Sequence, residues 1–225
     1  MARLLLFDID MTLVRTTGAG RRALDSALER LYGTSTATEG VSFDGRTDHG
    51  IFNEILTNIG QTGDGEFTRL PEIYLSELPD SLRSAETAVV LPGVVELLAE
   101  LKASHGVFGL GTGNIRAGAK VKLGHFGLWE QFAGGGFGDH SGVRSELIAA
   151  GIQELAAVAG VNPDPADCII IGDTPLDVSA AHAAGARVLA VATGNSGVEA
   201  LRTSGAEWVL ADLSDVGVVM EILAN

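Results

Sequence analysis

Cysteine is almost missing from this chain: Cys168 stands alone among 225 residues. A single thiol excludes an internal disulfide and any zinc site built on several cysteines. Its setting, Asp167-Cys168-Ile169-Ile170-Ile171, is an apolar run, so it reads as an inert core thiol. Positive charge is scarce as well, with 15 Lys and Arg against 29 Asp and Glu and a net charge of −14. Non-specific nucleic-acid binding relies on neutralising phosphates with Lys and Arg, so nucleic acid is not an expected partner. An anionic ligand would need a locally positive site made by metal, Arg and backbone N–H groups. Long apolar runs are also lacking. The run Leu4 to Phe7 is too short for a signal-peptide core and ends in Asp8, and no stretch approaches a membrane span. These absences lead to the expectation of a soluble cytoplasmic protein without a membrane partner. No internal repeat or low-complexity tail is visible. The five histidines, His49, His105, His125, His140 and His182, lack the i, i+4 pairing of a helical zinc site and read as surface or core fillers.

What is present begins at the start. Leu4-Leu5-Leu6-Phe7-Asp8-Ile9-Asp10-Met11-Thr12 is an apolar run of strand length that ends in two carboxylates and a hydroxyl. Residues at i and i+2 of an extended segment share a face. If the chain turns at Asp10, both acids still sit at the carboxyl end of the strand, where open α/β sheets bind their ligands. Either way the pair asks for a counter-ion. A metal-bound carboxylate beside a proton-carrying one is equipment for phosphoryl chemistry.

After Thr12 the pattern turns helical. Apolar residues recur at i, i+3/i+4 over Arg21–Tyr32 and Asp48–Ile59, and a third helix is expected over Glu66–Arg83, interrupted by Pro71 and Pro79. No strand is expected between Val14 and Ala88. From Leu91 onward strands alternate with helices, and Pro92 is expected to open the first of these helices, Gly93–Ser104. Strands are expected at Val107–Leu110, Cys168–Ile171, Val188–Val191 and Trp208–Leu210, with a short one within the Gly-rich segment Ala133–Gly138. Gly134–Gly136 marks either close backbone approach or a flexible connection. Trp129, Phe132 and Phe126 read as packing around a helix end. This order argues an α/β fold, a doubly wound, mostly parallel sheet covered on both faces. The domains are expected to be a core of residues 1–14 and 86–225 and an inserted all-helical cap of residues 15–85.

Four segments share one context, an apolar strand followed by small or polar residues and then a helix. They are Asp8 to Thr12, Gly111-Thr112-Gly113-Asn114, Gly138 to Arg144, and Gly172-Asp173-Thr174-Pro175-Leu176-Asp177. In a parallel sheet such strand ends lie on one edge and converge. On these residues the chain resembles phosphatases of the haloacid dehalogenase superfamily with a helical cap after the first strand, close to the phosphoglycolate phosphatase and β-phosphoglucomutase group. Asp8, Asp10 and Thr12 match its first motif, Asp-x-Asp-x-Thr. Thr112 matches the second, and Gly172, Asp173 and Asp177 the fourth.

The resemblance implies a Mg²⁺-dependent hydrolase acting on a small phosphorylated metabolite. Asp8 would be the nucleophile and Asp10 the general acid and base. Mg²⁺ would be held by Asp8, the Asp10 carbonyl, Asp173 and, through water, Asp177. Thr112 with the N–H groups of Gly113 and Asn114 would cradle phosphate, and Thr12 would line the substrate site. The third motif is usually a Lys ahead of the helix before the fourth, and here that segment contains none. Arg144 is the nominee to bridge nucleophile and phosphate, with Lys120 the fallback. Met11 stands where many relatives carry Gly. In the cap, Phe43 to Asp48 resembles a substrate-facing loop. Arg46 reads there either as a contact for a substrate anion or as an ordinary exposed Arg, and His49 beside it is the histidine to watch.

Blander readings compete. Thr174-x-x-Asp177 also fits a capping box with Pro175 in the first turn, and Asp10 fits an N-cap. Gly111-Thr112-Gly113 invites a dinucleotide reading, but Arg116 replaces its third glycine. The alternatives to a phosphatase are a phosphosugar mutase, a non-catalytic phosphate-binding protein and, last, a dinucleotide-dependent oxidoreductase. A monomer and a homodimer are both compatible with the sequence.

Overall fold

Alternation along the first strand decides the layering. In β1, Leu4–Phe7, every residue is buried. Leu5 and Phe7 enter one apolar cluster while Leu4 and Leu6 enter another. A strand apolar on both faces needs cover on both, which is the condition of a parallel sheet between helices. The structure, a computed structural model, describes residues 4–63, 65–104, 106–139 and 141–224. His105 and His140 lie outside the described residues.

Two short strands follow, β2 at Val14–Arg15 and β3 at Val89–Val90, which pair antiparallel as a separate ribbon. The main sheet consists of β1 with β4 (Val107–Thr112), β5 (Gly135–Phe137), β6 (Ile169–Gly172), β7 (Arg187–Val191) and β8 (Trp208–Leu210). Its spatial order is β5-β4-β1-β6-β7-β8, with every neighbouring pair parallel. Helices α4 (Val94–Ala103), α5 (Arg116–His125) and α9 (Val216–Ala224) cover one face, and α6 (Arg144–Ala159), α7 (Pro175–Ala183) and α8 (Val198–Thr203) the other. The chain is thus a doubly wound α/β core. Between β2 and β3 lies the helical cap, α1 (Ala19–Tyr32), α2 (Asp48–Asn58) and α3 (Glu66–Arg83). These three helices bury an apolar cluster of their own, to which the core adds Ile115.

Three expectations are corrected. Pro71 and Pro79 do not interrupt α3, which runs through both. Each proline removes one intrahelical bond, but Leu70, Tyr74, Leu78 and Leu82, four residues apart, are all buried and hold the helix by tertiary packing. Pro92 does not open a helix. It precedes Gly93, the N-cap of α4, at φ 78°. The strand β2, at Val14–Arg15, falls where no strand is expected, because a two-residue ribbon leaves no period to read. Gly134–Gly136 resolves to close approach, since a Cβ on Gly135 would overlap the Leu110 backbone and one on Gly136 the Leu147 carbonyl. Cys168 is buried, and burial pushes its thiol up to about 11, consistent with an inert group.

Candidate active site

The strands β4, β1 and β6 are adjacent, so their carboxyl ends set Thr112, Asp8 and Asp173 side by side. Asp8, Asp173 and Asp177 are buried, with one carboxylate oxygen of each within 4.8 Å of the others. Burial is the largest influence on both Asp8 and Asp173. With repulsion from neighbouring carboxylates it raises Asp8 to about 6, against the pull of Arg144, and Asp173 to about 8. A cluster that strains against its own charge is suited to a hard divalent cation, which prefers oxygen donors. Thr12 Oγ1 donates to Asp173 Oδ1 at 3.3 Å.

Asp177 holds two positions at once. Its Oδ2 accepts from the Thr174 N–H (3.0 Å) and hydroxyl (2.7 Å), completing a capping box on α7. Its Oδ1 faces the cluster. Arg144, at the start of α6, reaches the same place. Its Nη2 is ion-paired with Asp177 Oδ1 at 2.5 Å and Asp8 Oδ1 at 3.1 Å, while its Nε has no hydrogen-bond partner among the described residues. An unsatisfied buried donor costs about 1–3 kcal/mol. Arg144 borders the cavity, where a guanidinium suits the oxygens of an anion.

Asp10 has a separate environment. Its Oδ2 accepts from Lys122 Nζ at 2.5 Å and Asn114 Nδ2 at 2.8 Å, while Oδ1 has only a long contact of 3.5 Å from Thr16 Oγ1. Burial pushes its carboxyl up, but the Lys122 ammonium and these hydrogen bonds outweigh burial and hold it below the usual range. Met11, next along, takes a left-handed φ of 61°, the conformation in which glycine is cheapest.

The loop after β4 is tied to the cap. Asp48, the first residue of α2, donates its N–H to the Gly113 carbonyl (2.7 Å) and accepts the Ile115 N–H on Oδ2 (2.9 Å). Arg144 Nη1 donates to the Gly45 carbonyl at 3.0 Å, and Asn195 to Asp44 at 2.7 Å. A Cβ on Gly113 would overlap the Arg46 carbonyl, so only glycine lets the cap loop approach this closely. Between cap and core lies a cavity of about 600 Å³, whose lining includes Asp8, Asp10, Asn114, Lys122, Arg144 and Asp173.

The family model of haloacid dehalogenase-like hydrolases matches residues 5–191. The chain belongs to that family. A curated relative named "Probable phosphatase IndB", from Dickeya dadantii (strain 3937), is 27% identical over 96% of this chain and 92% of its own. The fold is shared with a predicted phosphoglycolate phosphatase from Haemophilus somnus, with 20% identity, TM-score 0.68 and coverage of 97% and 98%. It is shared also with β-phosphoglucomutase from Clostridium difficile, with 17% identity, TM-score 0.71 and coverage of 100% and 98%.

In this hydrolase the geometry brings together Asp8, Asp173, Asp177 and Arg144, with Asp10, Gly113 and Asn114 around the same cavity. Other expected residues lie elsewhere. The carboxylate of Asp10 is outside the acidic cluster, which leaves only its backbone carbonyl for the metal. Thr12 and Thr112 are buried beneath the site and do not line the cavity. Thr112 Oγ1 instead accepts from the backbone (3.3 Å) and side-chain (3.0 Å) nitrogens of Asn114. The Asn114 N–H is therefore spoken for, and the first donors of α5 are taken by Asp48 and Asp139. Lys120 is exposed on the outer side of α5. The cation that helix sends inward is Lys122, which the sequence reading missed. A signal for it existed: Lys122 falls on the stripe of Ile115, Ala119 and Leu123, where an apolar residue is expected.

His49 stacks on Phe67 at 5.0 Å between ring centroids and does not line the cavity. Arg46 is turned to Glu54, at 2.5 Å, and to the Ser42 carbonyl, at 3.3 Å. With its charge answered inside the cap, Arg46→Ala is expected to change kcat/KM by less than about fivefold, well short of the loss for a buried charge pair to substrate. Steady-state kinetics on a hydrolysed phosphomonoester check this.

Proposed function

We propose that this hydrolase removes phosphate from a small phosphorylated metabolite by way of an aspartyl-phosphate on Asp8. The observation that carries the reading is the contrast between two carboxylates two residues apart. Asp8 stands in the acidic cluster paired with Arg144, while Asp10 is held apart by Lys122 and Asn114. Carboxylates in unlike environments divide nucleophilic from proton-transfer duty.

An Asp8 oxygen attacks phosphorus, and the bond from phosphorus to the leaving oxygen breaks. Although its neighbours favour the ionised form, Asp10 would carry a proton kept from the preceding turnover to that oxygen and then take one from the water that hydrolyses the intermediate. Arg144 turns Nε and Nη2 to the phosphate oxygens, a contact that suits a guanidinium. Asp8, Asp173, Asp177 and the Asp10 carbonyl would hold Mg²⁺, which when bound offsets the charge gathering on the phosphoryl oxygens. The division into a core of residues 1–14 and 86–225 and a cap of residues 15–85 belongs to this proposal. In it the cap excludes bulk water while attack proceeds.

Above the site the cap presents Leu24, Val41, Phe43, Ile51, Phe52 and Tyr74. An apolar roof of this kind and the pairing of Arg46 weigh against a two-carbon carboxylate and toward a substrate with a larger body. The test is phosphate release, with and without Mg²⁺, from p-nitrophenyl phosphate, 2-phosphoglycolate and a panel of larger phosphomonoesters. Interconversion of β-glucose 1- and 6-phosphates is followed in parallel. Release from the panel is expected. Interconversion without release would make the chain a mutase, and neither reaction would leave only phosphate binding.

A further inference from the structure

Lys122 is a buried cation that the mechanism above does not use. It rises from α5 into the seam between core and cap, and groups from both line its surroundings. Asp10 Oδ2 is 2.5 Å from its ammonium. Gly20 of α1 lies over its end, so that a Cβ there would sit 3.7 Å from Nζ and 3.6 Å from the Tyr74 hydroxyl of α3. The Asp48 carboxylate at the head of α2 is the next charge to act on it. Every cap helix thus contributes to the enclosure of one core side chain.

The hydrogen bonds give this placement a direction. Oδ2 of Asp10 is engaged by two short donors, Lys122 and Asn114, whereas Oδ1 has a single 3.5 Å contact from Thr16. Holding one oxygen by two donors fixes the plane of the carboxylate and leaves the other free to exchange a proton. We propose that Lys122 is a positioning residue, enclosed by the cap, that orients Asp10 so that Oδ1 takes the proton of the hydrolytic water. The step balances: water oxygen bonds to phosphorus as the phosphorus–Asp8 oxygen bond breaks, and the water's proton passes to Asp10. The proposal rests on the aspartyl-phosphate reading.

p-Nitrophenyl phosphate separates the two halves of the reaction, because nitrophenolate departs without needing a proton. In rapid mixing, Lys122→Met is expected to release one equivalent of nitrophenolate at a rate within about threefold of the parent. Turnover then falls on the order of 10²-fold, the scale of general-base loss, and phosphorylated protein accumulates by intact mass. Lys122→Arg recovers part of the turnover. In an Asp10→Asn background, Lys122→Met adds less than about a threefold further loss, the non-additivity of residues that act as a unit. A fall of both phases together, or independent losses in the double variant, overturns the proposal. Lys122→Gln serves if methionine prevents folding, and failure of both to fold makes the residue structural and overturns it too. If the parent itself never forms a phosphorylated protein, the aspartyl-phosphate reading fails first.

Discussion

Asp8→Asn is expected to lower steady-state phosphate release by about 10⁴-fold or more, the scale seen when a nucleophile is removed, with the fold intact. The amide keeps the shape of the side chain but cannot form the acyl phosphate. Its effect on stability points the other way. Asp8 is crowded by burial and by the charges of Asp177 and Asp10, so its neutral replacement relieves repulsion in the metal-free protein. The midpoint of thermal unfolding is expected to hold or rise, although the ion pair to Arg144 is lost. Phosphate release and thermal unfolding measured on the same sample decide the matter. Equal activity in variant and parent would sink the mechanism, whereas a collapse of both readouts would make Asp8 a structural residue.

The second large effect is on stability and comes from the acidic cluster as a whole. Asp173 sits at about 8 and Asp8 at about 6, against an ordinary value of 3.8. Between those limits the folded protein binds protons that the unfolded chain has released. Without metal, the contribution of these groups is therefore full below about pH 4 and is lost as pH rises toward 8. A dication needs the carboxylates ionised, so its stabilising effect grows across the same window. Mg²⁺ at a hundred times its Kd adds about 2.7 kcal/mol, which for a chain of this size raises Tm by roughly 5–10 °C. That gain is expected at pH 8, much reduced at pH 5, and largely missing in Asp173→Asn. A gain that survives in the variant, or is equal at the two pH values, would remove the cluster from metal binding.

Much of this arrangement is legible in the residues because it rests on local pattern. Apolar strands ending in Asp8, Thr112 and Asp173 announce a parallel sheet, and a parallel sheet gathers its strand ends on one edge. What the residues do not display is set by partners distant in sequence. Thr12 turns beneath the cluster because Asp173, 161 positions away, accepts its hydroxyl. Arg46 borders the cavity, but its charge is answered by Glu54. Arg144, by contrast, is where its motif position implies, with Asp8 and Asp177 against it. The prolines of α3 mislead because local propensity is overruled by the buried stripe of Leu70, Tyr74, Leu78 and Leu82. The capping reading of Asp177 and its place in the cluster are both realised, since one carboxylate has an oxygen for each.

The two hydrogen bonds of Asp48 fall on Gly113 and Ile115, the residues on either side of Asn114, and Gly113 and Asn114 line the cavity. The latch of the lid and the floor of the chamber are one piece of chain. In the proposed mechanism, then, a departing alcohol would not lift the first without loosening the second.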